Sequence, residues 1–106
     1  MGEASKAVNF AYLEEFAGGD VGLMREVLKV FSGEAHGWAR ELEAGPKDWR
    51  AIVHTMKGTG RSVGANGLGD LCEQAEADGP ELLPRIRAEL DEVIAEVDAW
   101  LALNGG

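Results

Sequence analysis

Apolar residues recur along this chain at intervals of three and four, the spacing that turns one face of a helix inward. The clearest run, Met24, Val27, Leu28, Phe31, Ala35, Trp38 and Leu42, predicts a helix over residues 21–44. Trp49, Ile52, Val53, Met56, Gly60 and Val63 predict another over 46–63. Leu68, Leu71, Cys72 and Ala75 do the same over 67–78. Leu83, Ile86, Leu90, Val93, Val97, Trp100 and Leu101 predict a long last helix over 81–102. A short opening helix over 8–17 has Phe10, Leu13 and Phe16 as its apolar side. No segment alternates apolar and polar residues with period two, so strands are not expected.

The breaks carry their own chemistry. Gly18-Gly19 stops the first helix, and Asp20 is a good N-cap for the second. Gly45 closes the second, and Pro46 stands where proline opens a helix without losing a needed donor. Gly64 ends the third, Asn66 is the expected cap of the fourth, and Gly79-Pro80 marks the last turn. Pro84 is expected to delay the regular start of the final helix by a turn. Four long amphipathic helices joined this tightly must run antiparallel to their neighbours around a shared core. The expected fold is all-α: an up-down antiparallel four-helix bundle with a short additional N-terminal helix, one domain over residues 1–106.

Composition narrows the function. With 45% hydrophobic and 27% charged residues the chain fits a soluble globular protein. No apolar run approaches the ~20 residues of a membrane helix, and the first six residues lack the apolar core of a secretory signal. One cysteine, Cys72, excludes an internal disulfide, and with only two distant histidines it makes no zinc cluster. The expected location is cytoplasmic. A formal net charge of −9 argues against nucleic acid as partner. No Gly-rich phosphate loop is present, so nucleotide binding and autokinase activity are not expected.

That charge is unevenly spread. Lys47, Arg50, Lys57 and Arg61 face only Asp48 within 46–63, a local net charge of +3 on an acidic chain. On a helical wheel at about 100° per residue, His54, Lys57 and Arg61 share a sector away from the buried stripe, and Arg50 joins them one turn earlier. His54 is therefore expected to point to solvent or a shallow groove, with cations above and below. Such cations favour the neutral, nucleophilic imidazole and would stabilise a phosphoryl group attached to it. Gly58 costs about 1 kcal/mol of helix propensity relative to alanine, an odd choice at an exposed mid-helix position unless space is needed there. The residues alone point to an anion or phosphoryl site centred on a nucleophilic histidine. By the same reading His36 is a surface residue without a basic partner one turn away. Cys72 and the three tryptophans, Trp38, Trp49 and Trp100, belong to the core.

The stretch His54-Thr-Met-Lys57-Gly58, then Gly64-Ala65, Leu68, Leu71-Cys72-Glu73-Gln74 and Glu76, resembles the histidine-containing phosphotransfer (HPt) domain family. The match is close over 54–76 and extends through the flanking helices; Ala75 departs from the leucine common before the glutamate. The resemblance implies that His54 accepts a phosphoryl group from a receiver-domain aspartyl phosphate or a hybrid histidine kinase and passes it to another receiver aspartate. It also implies that Lys57 balances the phosphoryl charge and that Gly58 leaves room for the receiver's loops. Arg50 and Arg61 are candidates for the same electrostatic and docking role. The protein is then a phosphocarrier, not an enzyme with its own active centre. No cofactor is expected on it, Mg²⁺ belonging to the partner receiver. The expected partners are response-regulator receivers or a hybrid kinase, with the protein itself a monomer that engages neither nucleic acid nor membrane. Two other readings stay open: a phosphate-accepting domain excised from a chemotaxis-type or hybrid kinase, and a helical adaptor that is never phosphorylated.

Overall fold

The helices begin and end where backbone donors find partners. In the computed structural model, which describes residues 7–105, α1 spans Phe10–Phe16. Its cap is Asn9, whose side-chain oxygen accepts the Tyr12 N–H at 3.1 Å. Asp20 caps α2 (Val21–Glu43) in the same way, accepting from the Leu23 N–H at 3.0 Å. Then come α3 (Trp49–Ser62), α4 (Asn66–Asp78), a 3₁₀ turn at Pro80–Leu82 and α5 (Leu83–Leu103). The fold is all-α: α2 to α5 form an up-down four-helix bundle preceded by the short α1, with no strand among the described residues.

Some boundaries differ from the sequence reading. The third helix opens at Trp49 rather than Pro46, because Gly45 at φ +67° leads into a turn and Asp48 occupies the cap position. Asn66 is the first residue of α4 and not its cap. The α3–α4 connection is so short that buried Ala65 stands there, its N–H bonded to the Gly60 carbonyl at 2.8 Å. The first helix starts at Phe10, because Asn9 takes the cap position with non-helical backbone angles (φ −90°, ψ 89°), while the N–H groups of Ala7 and Val8 ahead of it donate to the Glu96 carboxylate of α5. Pro84 falls in the first turn of α5, and the 3₁₀ turn before it fills the delay that its missing N–H imposes.

The core runs the length of the bundle. Leu28 and Phe31 from α2, Val53 and Met56 from α3, Leu68 and Cys72 from α4, and Ile86, Leu90, Val93 and Val97 from α5 are all buried. Among the described residues no polar or charged side chain is buried. Trp38 lies in this core, edge-on to Phe31 with ring centroids 5.8 Å apart. Trp49 and Trp100 are only partly buried, packing from the margin, and Trp100 stacks on Phe10 of α1 at 6.3 Å. Phe16 was expected to turn inward but is 71% exposed; α1 packs through Phe10 and Leu13 and ends one turn later. No helix among the described residues is long and apolar enough to cross a membrane. The most extensive helix pairing, α3 against α4, is the one that assembles the site.

Candidate functional site

Helix α3 presents two different faces. Val53, Met56 and Gly60 are buried, whereas the His54 side chain next to them is 71% exposed. Across the α3–α4 seam, Glu76 reaches back from the last turn of α4. Its Oε2 lies 2.7 Å from His54 Nδ1, and its Oε1 accepts a hydrogen bond from Lys57 Nζ at 2.6 Å. One carboxylate thus bridges the imidazole and the ammonium one turn further along α3. Both Glu76 and Lys57 are only 24% exposed, so this bridge is better shielded from water than the imidazole it holds.

The bridge fixes the protonation pattern. Hydrogen bonds from Lys57 first, and from His54 second, hold the Glu76 carboxyl below its ordinary range. An ionised carboxylate can only accept, so the hydrogen between it and the ring sits on Nδ1. In the neutral ring Nε2 then carries the lone pair. It has no hydrogen-bond partner among the described residues and stands on an exposed side chain. The imidazole is held by one nitrogen and offers the other as a nucleophile.

The remaining residues singled out in the sequence take different places. Gly58 is exposed, and a Cβ built there meets nothing within 4 Å, so nothing within the fold requires a glycine. The Arg50 guanidinium lies over the Trp49 ring, 4.8 Å from its centroid, and donates to the backbone carbonyl of Glu76. It therefore steadies the turn that carries the bridging carboxylate. Arg61 is tied to Asp70 at 2.9 Å and to Glu73 at 2.7 Å, two turns or about 10 Å along the helix from His54. These pairs, that to Glu73 foremost, raise its pKa. Of the four cations in the expected basic strip, Lys57 and Arg61 are thus matched by an acidic ladder, Asp70, Glu73 and Glu76, on the facing side of α4.

Glu76, which bridges His54 and Lys57, is the member of this cluster that the sequence reading left without a role. Its signal was present: acids three apart on α4 run antiparallel to Arg61 and Lys57, four apart on α3. His36, read as a surface residue, is exposed but partnered. Its Nε2 lies 2.9 Å from Asp98 Oδ2, and Ser32 Oγ donates to the other oxygen of Asp98 at 2.7 Å, joining α2 to α5. Cys72 is fully buried, and burial, reinforced by the Glu76 charge, pushes its thiol up to about 12. Among the described residues no group of three His, Cys, Asp or Glu side chains could hold a metal ion. A groove of about 400 Å³ opens between α2 and α3, lined by Val27, Val30, Phe31, Thr59, Ser62 and Val63 together with Glu26 and Glu34.

Comparison with known proteins identifies the family and agrees with the fold. The family model for the Hpt domain matches residues 22–100. The crystal structure of the histidine phosphotransferase ShpA from Caulobacter crescentus, at 1.52 Å resolution, superposes with a TM-score of 0.85 at 40% sequence identity. The alignment covers 94% of this chain and 95% of that one. No curated protein sequence matches.

Proposed function

Since the chain belongs to the Hpt domain family, we propose that His54 is the residue on which it carries the phosphoryl group. The protein works as a phosphocarrier between histidine and receiver-domain aspartate, not as an enzyme with a turnover of its own. The observation that supports His54 is its divided ring: Nδ1 is bound to Glu76, and an exposed Nε2 carries the lone pair. His36 is engaged the other way round, with Nε2 on Asp98.

Transfer then runs in line between Nε2 and an aspartate oxygen of the receiver. The transferred group is loosely bonded and highly charged at its midpoint, so positioning and charge stabilisation carry the rate. Lys57 is the ammonium in reach of that charge, on the same face as His54 and one turn away. Gly58 clears the approach, and the α2–α3 groove that begins at Thr59 gives the receiver an apolar surface to dock on. Mg²⁺ belongs to the receiver's own acidic cluster. Cognate receivers, or a hybrid kinase carrying one, are the partners, and with them the location is cytoplasmic.

The test is to incubate the protein with a phosphorylated receiver and follow transfer of the label. An acid-labile, alkali-stable phosphate is expected on the wild type and none on His54→Gln. Label persisting on His54→Gln would move the site elsewhere; absence of label from the wild type with every receiver tried would remove the phosphocarrier reading.

A further inference from the structure

Glu76 does more than aim the ring. We propose that its carboxylate keeps the phosphoryl-bearing ring of His54 protonated at Nδ1, so that the group arrives on and leaves from a neutral imidazole with no proton-transfer step. This rests on the reading of His54 as the phosphorylated residue and concerns how that residue works.

The electrons balance as follows. In loading, the Nε2 lone pair forms the N–P bond while the P–O bond of the aspartyl phosphate breaks and its pair returns to the carboxylate. The ring still holds its Nδ1 hydrogen and is now cationic. In unloading, the N–P bond breaks, its pair returns to Nε2, and a new P–O bond forms on the receiver. The leaving group is then neutral imidazole. Were the Nδ1 hydrogen lost in between, the leaving group would be an imidazolide anion, far more basic and a far poorer departure. Whether the loaded ring keeps that hydrogen is therefore what decides how readily it gives up its cargo.

The surroundings favour keeping it. Glu76 Oε2 stands 2.7 Å from Nδ1, and its charge opposes removal of the hydrogen it accepts. Lys57 faces the same carboxylate through the other oxygen, at 2.6 Å, and divides its charge while the ring is unloaded. A phosphoryl group on Nε2 competes for Lys57, which would leave more of the Glu76 charge to the ring. Arg50 is spent on the Glu76 carbonyl and on Trp49. Glu73 is bound to Arg61, and buried Cys72 beneath the seam stays a neutral thiol. Glu76 is thus the charged group placed to set the state of Nδ1. It is a positioning residue, since it acts through the ring and never touches the phosphoryl group.

The experiment loads the full chain with phosphoramidate, independently of any receiver, and follows hydrolysis of the phosphohistidine across pH by ³¹P NMR. Wild type and Glu76→Gln, which retains an acceptor but not the charge, are compared. In the variant the pH at which hydrolysis slows is expected to fall by about one unit, making the loaded form up to about tenfold longer-lived at pH values above the wild-type midpoint. Transfer to a receiver should slow in parallel. An unchanged pH midpoint in a loaded Glu76→Gln overturns the proposal. Failure of the wild type to load, or loading that survives His54→Gln, strikes instead at the assignment of His54. Should Glu76→Gln fold poorly, ¹⁵N shifts of the loaded wild-type ring at about pH 7, just above the ordinary imidazole range, decide: a mostly protonated Nδ1 supports the proposal and a mostly bare one ends it.

Discussion

Gly64 and Asn9 meet backbone to backbone: the Asn9 N–H donates to the Gly64 carbonyl at 3.0 Å, and Gly64 sits at φ +87°. A Cβ at Gly64 would lie 2.8 Å from the Asn9 carbonyl oxygen, an atom that cannot swing aside as a side chain can. The left-handed conformation alone costs a non-glycine residue about 1–2 kcal/mol. Gly64→Ala is therefore expected to destabilise the protein by about 2 kcal/mol or more, with the close approach adding to the backbone term. Thermal unfolding followed by circular dichroism should show a melting temperature lower by about 10 °C. A drop of less than a few degrees would mean that the entry into α1 gives way freely.

Gly58, six residues earlier, makes the opposite case. It is helical, and a side chain there would point into open space. Gly58→Ala is expected to stabilise the bundle by about 0.5–1 kcal/mol through helix propensity, while slowing phosphoryl exchange with a receiver. Gly58→Leu should slow it further without unfolding the protein. Melting curves and transfer rates measured on the same samples check both halves. Transfer that is unaffected by leucine would show that no partner comes close to this position.

These two glycines mark where sequence reading reaches and where it stops. The apolar stripes gave the bundle because burial of a helix face leaves a 3.6-residue trace in one dimension. The exposed position of His54 followed from the same wheel. Glu76 did not follow, because the matching spacings of acids on α4 and cations on α3 become a pairing only once the register of the two helices is known. For the same reason the basic strip reads without partners for Lys57 and Arg61, although each is matched by an acid on the facing helix. Pro46 and Asn66 misled at the boundaries, since short connections placed Asp48 and Ala65 at the caps in their stead.

Arg61 and Lys57 should now separate experimentally. The Arg61 stem crosses α4 where Gly69 leaves room, a Cβ there falling 2.5 Å from Arg61 Cγ, and its guanidinium ends on Asp70 and Glu73. Arg61→Ala is expected to lower the melting temperature slightly, by an amount that shrinks in about 1 M salt as the ion pairs are screened. Its transfer rate should stay within about twofold of wild type, whereas Lys57→Ala should slow transfer about tenfold or more, the size of a lost charge contact in the transition state. Equal slowing in both variants would return Arg61 to the site.

Glu76 also links stability to pH. Lys57 and His54 hold its carboxyl below the ordinary value of 4.5, so the folded state binds a proton there less readily than the unfolded chain. The stability this confers is fully present above about pH 4.5 and drains away as the pH falls through the lower, folded value. Replacing the residue by glutamine removes the titrating group and leaves one acceptor oxygen in place of two, the amide nitrogen being only a donor. Wild type should therefore be the more stable protein at pH 7, and urea midpoints for the two should converge as the pH is lowered from about 5 towards 2. Curves that stay parallel down to the acid limit would mean that Glu76 gains nothing from Lys57 and His54 in the folded state. The bridge across the α3–α4 seam would then be a contact without energetic weight.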